Sequence, residues 1–73
     1  MQDFRMETFL TASRLLSYTD TAKELHITQP AVSQHIRFLE EHYNAKLFRY
    51  EGKKLCLTEA GVLLRKAATT MKH

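Results

Sequence analysis

The one proline of the chain, Pro30, follows Thr28 and Gln29 and precedes Val32, Ile36, Leu39 and Tyr43, which recur at the three- and four-residue spacing of a helix face. A proline is tolerated in the first turn of a helix, where backbone N–H groups have no intrahelical partner, and threonine is a good N-cap. The stretch ITQPAVSQHIRFLEE, residues 27–41, is therefore predicted to start a helix at Gln29. Only His26, Ile27 and Thr28 are left to join it to what precedes. At 100° per residue from Gln29, the apolar residues fall between about 280° and 340°. Gln29, Ser33, Arg37, Pro30 and Gln34 fall between about 0° and 140°. One face is core and the other is wet. Asn44 stands where a left-handed residue is wanted after the helix, a conformation asparagine tolerates better than most.

The neighbouring segments build around this helix. Met6, Phe9, Leu10, Ser13 and Leu16 predict an amphipathic helix over about residues 4–16, with Asp3 as its cap. Ser17 and Asp20 resemble a capping box, and Ala22 and Leu25 give a narrow stripe to a short second helix ending near His26. After Asn44, KLFRYEGKKLCLT reads as two short strands about a turn at Glu51 and Gly52, with Leu47 on one arm and Leu55 and Leu57 alternating on the other. Thr58 caps a last helix whose stripe of Val62, Leu63, Leu64, Ala67, Ala68 and Met71 has little left in the domain to cover it.

Seventy-three residues with 44% hydrophobic content make one small domain with little room for both a core and an enclosed substrate pocket. A binding surface is favoured over a catalytic cavity, and no nucleophile, base or metal constellation points to an enzyme. The net charge of +3 is uneven: residues 1–42 carry four basic against six acidic side chains, residues 43–73 seven against two. Basic clustering in the second half suits a polyanionic partner, but so modest a net charge is also common on ordinary soluble surfaces and by itself decides little. The lone Cys56 excludes an internal disulfide and fits a reducing cytosol. Placed between Leu55 and Leu57, it should point outward as an inert thiol. No apolar run approaches the roughly 18 residues of a membrane span, so a cytoplasmic, nucleoid-associated location is expected. His26, His35 and His42 lack a cysteine or carboxylate frame and match no common zinc spacing.

The order helix, helix, tight turn, helix, hairpin, helix describes a mainly α winged helix-turn-helix: three helices and a two-stranded β wing over residues 1–57, then a linker or dimerisation helix beginning within 58–73. The wet face of the third helix then has a use. Glutamine pairs with adenine, serine with base or phosphate, and a proline ring touches a thymine methyl. Helix N-termini and caps such as Thr28 and Thr19 suit phosphate oxygens, and Lys53 and Lys54 at the hairpin tip suit a salt-dependent grip on backbone or minor groove.

The run AKELHITQPAVSQHIRFLE at residues 22–40, with LF at 47–48 and LTEAG at 57–61, resembles the DNA-binding domain of LysR-type bacterial transcriptional regulators over nearly the whole chain. The resemblance implies that Gln29, Pro30, Ser33, Gln34 and Arg37 occupy major-groove contact positions, that Thr28 and Thr19 match backbone contacts, and that Lys53 and Lys54 match wing contacts. It implies a homodimer through the last helix, involving Leu64, Ala67, Ala68 and Met71, bound to an interrupted inverted repeat of double-stranded DNA. It also implies a larger C-terminal domain that senses a small-molecule effector; no such domain follows His73, and no cofactor is expected within these residues. Three positions depart from the pattern. Arg49 and Tyr50 stand in reversed order after LF, Asn44 replaces the usual glycine, and Lys46 replaces a frequent proline. Plainer readings compete with the sharp one: an ordinary solvated face for Gln29, Ser33 and Gln34, an ion pair of Arg37 with Glu40 or Glu41, simple solubility for Lys53 and Lys54, a last helix packed back on its own domain, and a winged helix that binds protein in place of DNA.

Overall fold

The computed structural model describes residues 4–70; the expected cap Asp3 and the expected dimer residue Met71 lie outside them. Helices α1 (Phe4–Leu15), α2 (Tyr18–Leu25) and α3 (Gln29–Tyr43) are followed by strands β1 (Phe48–Glu51) and β2 (Lys54–Leu57) and by helix α4 (Glu59–Thr70). The expected order and strand pairing are present.

Each junction has a local cause. Helix α1 stops one residue earlier than its spacing suggests, because Leu16 turns left-handed at φ 52° while its N–H still reaches the Ala12 carbonyl at 2.7 Å. That conformation costs a branched residue about 1–2 kcal/mol and sends the chain sideways into α2. Ser17 is extended there, and its hydroxyl accepts from the Asp20 N–H at 3.1 Å. Helices α2 and α3 end alike. His26 and Asn44 are both left-handed, and the residues after them donate back to Ala22 and Glu40 at 3.0 Å, closing a pair of Schellman motifs. Thr28 caps α3 by accepting from the Ala31 N–H at 3.2 Å.

The core joins all these pieces. Phe9 and Ala12 of α1, Ala22 of α2, and Val32, Ile36 and Leu39 of α3 bury against Leu47, Phe48 and Leu55 of the hairpin. Phe48 meets the rings of Phe9 and Tyr18 edge-on, with centroids 5.7 Å apart in both cases. The hairpin is therefore rooted in the helical core through its first strand, although only Leu47 was expected to bury on that arm.

The sequence places the hairpin turn at Glu51 and Gly52, whereas the structure places it one residue later. Glu51 still pairs with Lys54 in the antiparallel register, and Gly52, at φ 64°, and Lys53 form the two-residue loop. A positive φ at the first loop residue favours glycine and matches the twist of the strands. At the hairpin's base, Thr58 caps α4 by accepting from the Gly61 N–H at 3.1 Å and donates to the Lys46 carbonyl at 2.5 Å. A Cβ at Gly61 would come within 2.3 Å of the Leu47 carbonyl oxygen, so only glycine lets α4 cross there. This accounts physically for both ends of the LTEAG run.

Candidate nucleic-acid interface

The wet face of α3 is built as the spacing implied. Thr28, Gln29, Pro30, Gln34 and Arg37 are exposed and Ser33 is half-buried, while Val32, Ile36 and Leu39 on the opposite side hold the helix to the core. The first turn of α3 carries no acidic residue, so its positive dipole end is not neutralised by its own side chains. Arg37 makes no ion pair among the described residues. Glu40, one of its proposed partners, is taken by the hairpin's base instead: its carboxylate accepts from the Leu47 N–H at 2.9 Å and lies 3.9 Å from the Lys46 ammonium. The plainer reading of Arg37 therefore fails, and its guanidinium projects from the same face as Gln29 and Ser33.

A shallow groove brings three segments together. Leu16 and Ser17 from the α1–α2 junction, Tyr18 and Thr19 from the start of α2, Gln29 from the start of α3, and Tyr50, Lys53 and Leu55 from the hairpin line it. Thr19, Gln29 and Lys53, which lie far apart in sequence, thus share one surface. Lys54 does not join them. Phe48, Tyr50, Leu55 and Leu57 face the core and groove, so the paired positions Arg49 with Cys56 and Glu51 with Lys54 lie on the hairpin's other face.

The cations of the hairpin are consequently unequal. Arg49 donates to Glu51 at 2.8 Å and to the Leu57 carbonyl at 3.2 Å, and the adjacent carboxylate raises its already high pKa. That guanidinium is committed within the hairpin. Tyr50, 65% exposed, occupies the groove side in its place. Sequence reasoning noted only its unusual order; counting the strand alternation from Phe48 would have placed it there. Tyr18, also missed, lines the groove with a hydroxyl whose pKa is pushed up to about 12 by burial first, then by Glu40 and Tyr50.

The three histidines, His26, His35 and His42, have separate structural roles. His26 ends α2, His35 Nδ1 lies 2.9 Å from the buried Thr8 hydroxyl, and His42 stacks on Phe38, whose ring is also covered by the Arg5 guanidinium at 3.9 Å. No group of three or more His, Cys, Asp or Glu side chains among the described residues is placed to hold a metal. Along α4, Leu64 packs toward the chain's own core and Ala68 is half-buried, whereas Ala67 and Leu63 are exposed, Leu63 to 61%. No helix among the described residues is long and apolar enough to cross a membrane.

Comparison with known proteins agrees with this geometry. A crystal structure of a LysR-family transcriptional regulator from Eggerthella lenta superposes with a TM-score of 0.90 at 61% identity, covering 94% of this chain and 99% of that one. Vibrio fischeri DarR, solved in complex with DNA, superposes at 0.87 with 32% identity over 97% of this chain and 24% of its own. The HTH-type transcriptional regulator YxjO of Bacillus subtilis is 40% identical over 68 residues, 93% of this chain. The chain spans 23% of that regulator's length, and a similarly small share of the other curated relatives. These relatives are transcriptional regulators. Residues 4–62 match the bacterial regulatory helix-turn-helix proteins of the lysR family, and the chain belongs to that family.

Proposed function

We propose that this chain binds double-stranded DNA sequence-specifically, as the DNA-reading part of a dimeric LysR-type transcriptional regulator acting on the nucleoid. The observation that carries the reading is the continuous surface formed by the exposed, acid-free start of α3 and the groove it shares with Lys53. In this reading α3 lies in the major groove. Gln29, Pro30, Ser33, Gln34 and Arg37 meet base edges, and Thr28 at the helix end lies against a phosphate. The hairpin tip at residues 50–54 rests on the backbone or minor groove, with Lys53 as its main cation and Lys54 further from the contact. The solved DNA complex of the relative DarR supports the same use of the fold.

A second copy would pair through α4: of the expected dimer residues Leu64, Ala67, Ala68 and Met71, Leu64 is instead turned toward the chain's own core, Ala67 and Ala68 remain on the outer side, and the exposed Leu63 extends that surface. Two half-sites in inverted orientation follow from that symmetry. The small-molecule effector belongs to a domain outside this chain.

Selection of bound duplexes from a random-sequence pool, followed by mobility shifts on the enriched duplex, tests the reading. Enrichment of one motif, bound more weakly by Gln29→Ala and by Lys53→Ala, is the expected result. A pool that yields no motif, or variants that bind as the parent chain does, would mean that the surface serves another partner.

A further inference from the structure

We infer that Thr19 is a positioning residue for Gln29, holding the glutamine amide across the turn, and is not a contact to the DNA backbone. The inference rests on the DNA-binding reading above and assigns a specificity role within it. The Thr19 hydroxyl donates to the Gln29 side-chain oxygen at 3.4 Å, joining the first turn of α2 to the first residue of α3. Gln29 has no other side-chain hydrogen-bond partner among the described residues.

A single proton separates the two roles. A threonine hydroxyl has one hydrogen to donate, and a phosphate oxygen only accepts. With that hydrogen on Gln29, Thr19 has none for a phosphate. Lys53, on the same groove, already supplies a cation that can meet the backbone. Thr19 is also well suited as a fixed support, because its β-branched side chain has few χ1 states, whereas an unsupported glutamine loses several rotamers when it meets a base. With its oxygen held toward α2, the Gln29 amide turns its two N–H donors toward the solvent and hence toward an acceptor on a base edge.

The 73-residue chain and the duplex enriched from a random pool make the test, with single-base-pair variants of that duplex. The informative pair is the one at which Gln29→Ala loses discrimination. Thr19→Val, which keeps the shape and removes the hydroxyl, is expected to lower discrimination at that pair roughly three- to tenfold, the range of one net hydrogen bond. The loss should not extend to the other pairs. Thr19→Ser restores the hydroxyl and should restore discrimination, and Thr19→Val added to Gln29→Ala should change nothing more. Equal weakening of every duplex by Thr19→Val, with discrimination intact, would make Thr19 a backbone contact and overturn the inference. So would a Thr19→Val loss that persists in the Gln29→Ala background. Failure to enrich any duplex would instead defeat the DNA-binding reading itself, and this inference with it.

Discussion

The exposed face of α3 and the β hairpin form the two halves of one surface, yet they are made in opposite ways. On α3 the functional side chains are mostly uncharged and project from a helix locked by Val32, Ile36 and Leu39. In the hairpin the exposed positions are mostly charged, but Arg49 is bound to Glu51, and Lys54, across from Glu51 in the register, lies on the far face. Only Lys53 of the hairpin's basic residues lines the shared groove. A count of positive charge overstates what the hairpin offers a polyanion, and the neutral appearance of α3 understates what it offers, since Arg37 has no ion pair among the described residues. Shape and register, more than composition, decide which charges a partner meets.

The largest effect separates the two halves from their common root. Phe48 belongs to β1 but packs between Phe9 and Tyr18, so Phe48→Ala should cost about 3–5 kcal/mol and lower the stability of helices and hairpin together. Chemical denaturation followed by helical circular dichroism measures this. A loss below about 1 kcal/mol would show that the hairpin folds apart from the helical core.

A smaller change reaches α3 alone. Thr28→Ala removes the cap on the Ala31 N–H, for which a loss of about 1 kcal/mol is expected. It should raise amide exchange in the first turn of α3 and leave the hairpin amides as they were. Equal exchange in both regions would break the distinction.

The weakest effect at neutral pH lies where the two halves touch. The Tyr18 hydroxyl has its pKa raised from 10.0 to about 12, so folding favours the neutral form. Its contribution is complete below pH 10 and is lost as pH rises toward 12. Stability should therefore fall over that window, and Tyr18→Phe should flatten the fall. An unchanged profile in Tyr18→Phe would assign the loss to other groups.

Much of this architecture was legible because local chemistry and spacing agreed. Thr28, Pro30 and Asn44 set both ends of α3, and Ser17 and Thr58 began their helices as their caps implied. What remained hidden depended on contacts between segments. The end of α1 is set by the left-handed turn at Leu16, which no propensity favours. Glu40 had two cations nearby in sequence, and only the fold shows that the Leu47 N–H claims it. Lys53 and Lys54 are adjacent and alike in sequence; the one-residue displacement of the turn puts one on the groove and the other behind it. Strand alternation from Phe48 already puts Tyr50 on one side of the hairpin, but that this side meets Gln29 follows only once Phe48 roots β1 in the core.

The central claim, that α3 chooses the site while Lys53 helps hold any site, meets its most direct test in salt titration of binding. The parent chain, Gln29→Ala, Lys53→Ala and Lys54→Ala would each be titrated on the enriched duplex and on a scrambled one. Gln29→Ala should narrow the affinity gap between the two duplexes by about 1–3 kcal/mol and keep the slope of log K against log salt. Lys53→Ala should reduce that slope by about 0.9 on both duplexes and keep the gap, with Lys54→Ala changing it less. A Gln29→Ala variant that loses slope but keeps the gap, or a Lys53→Ala variant that loses the gap but keeps slope, would contradict the account.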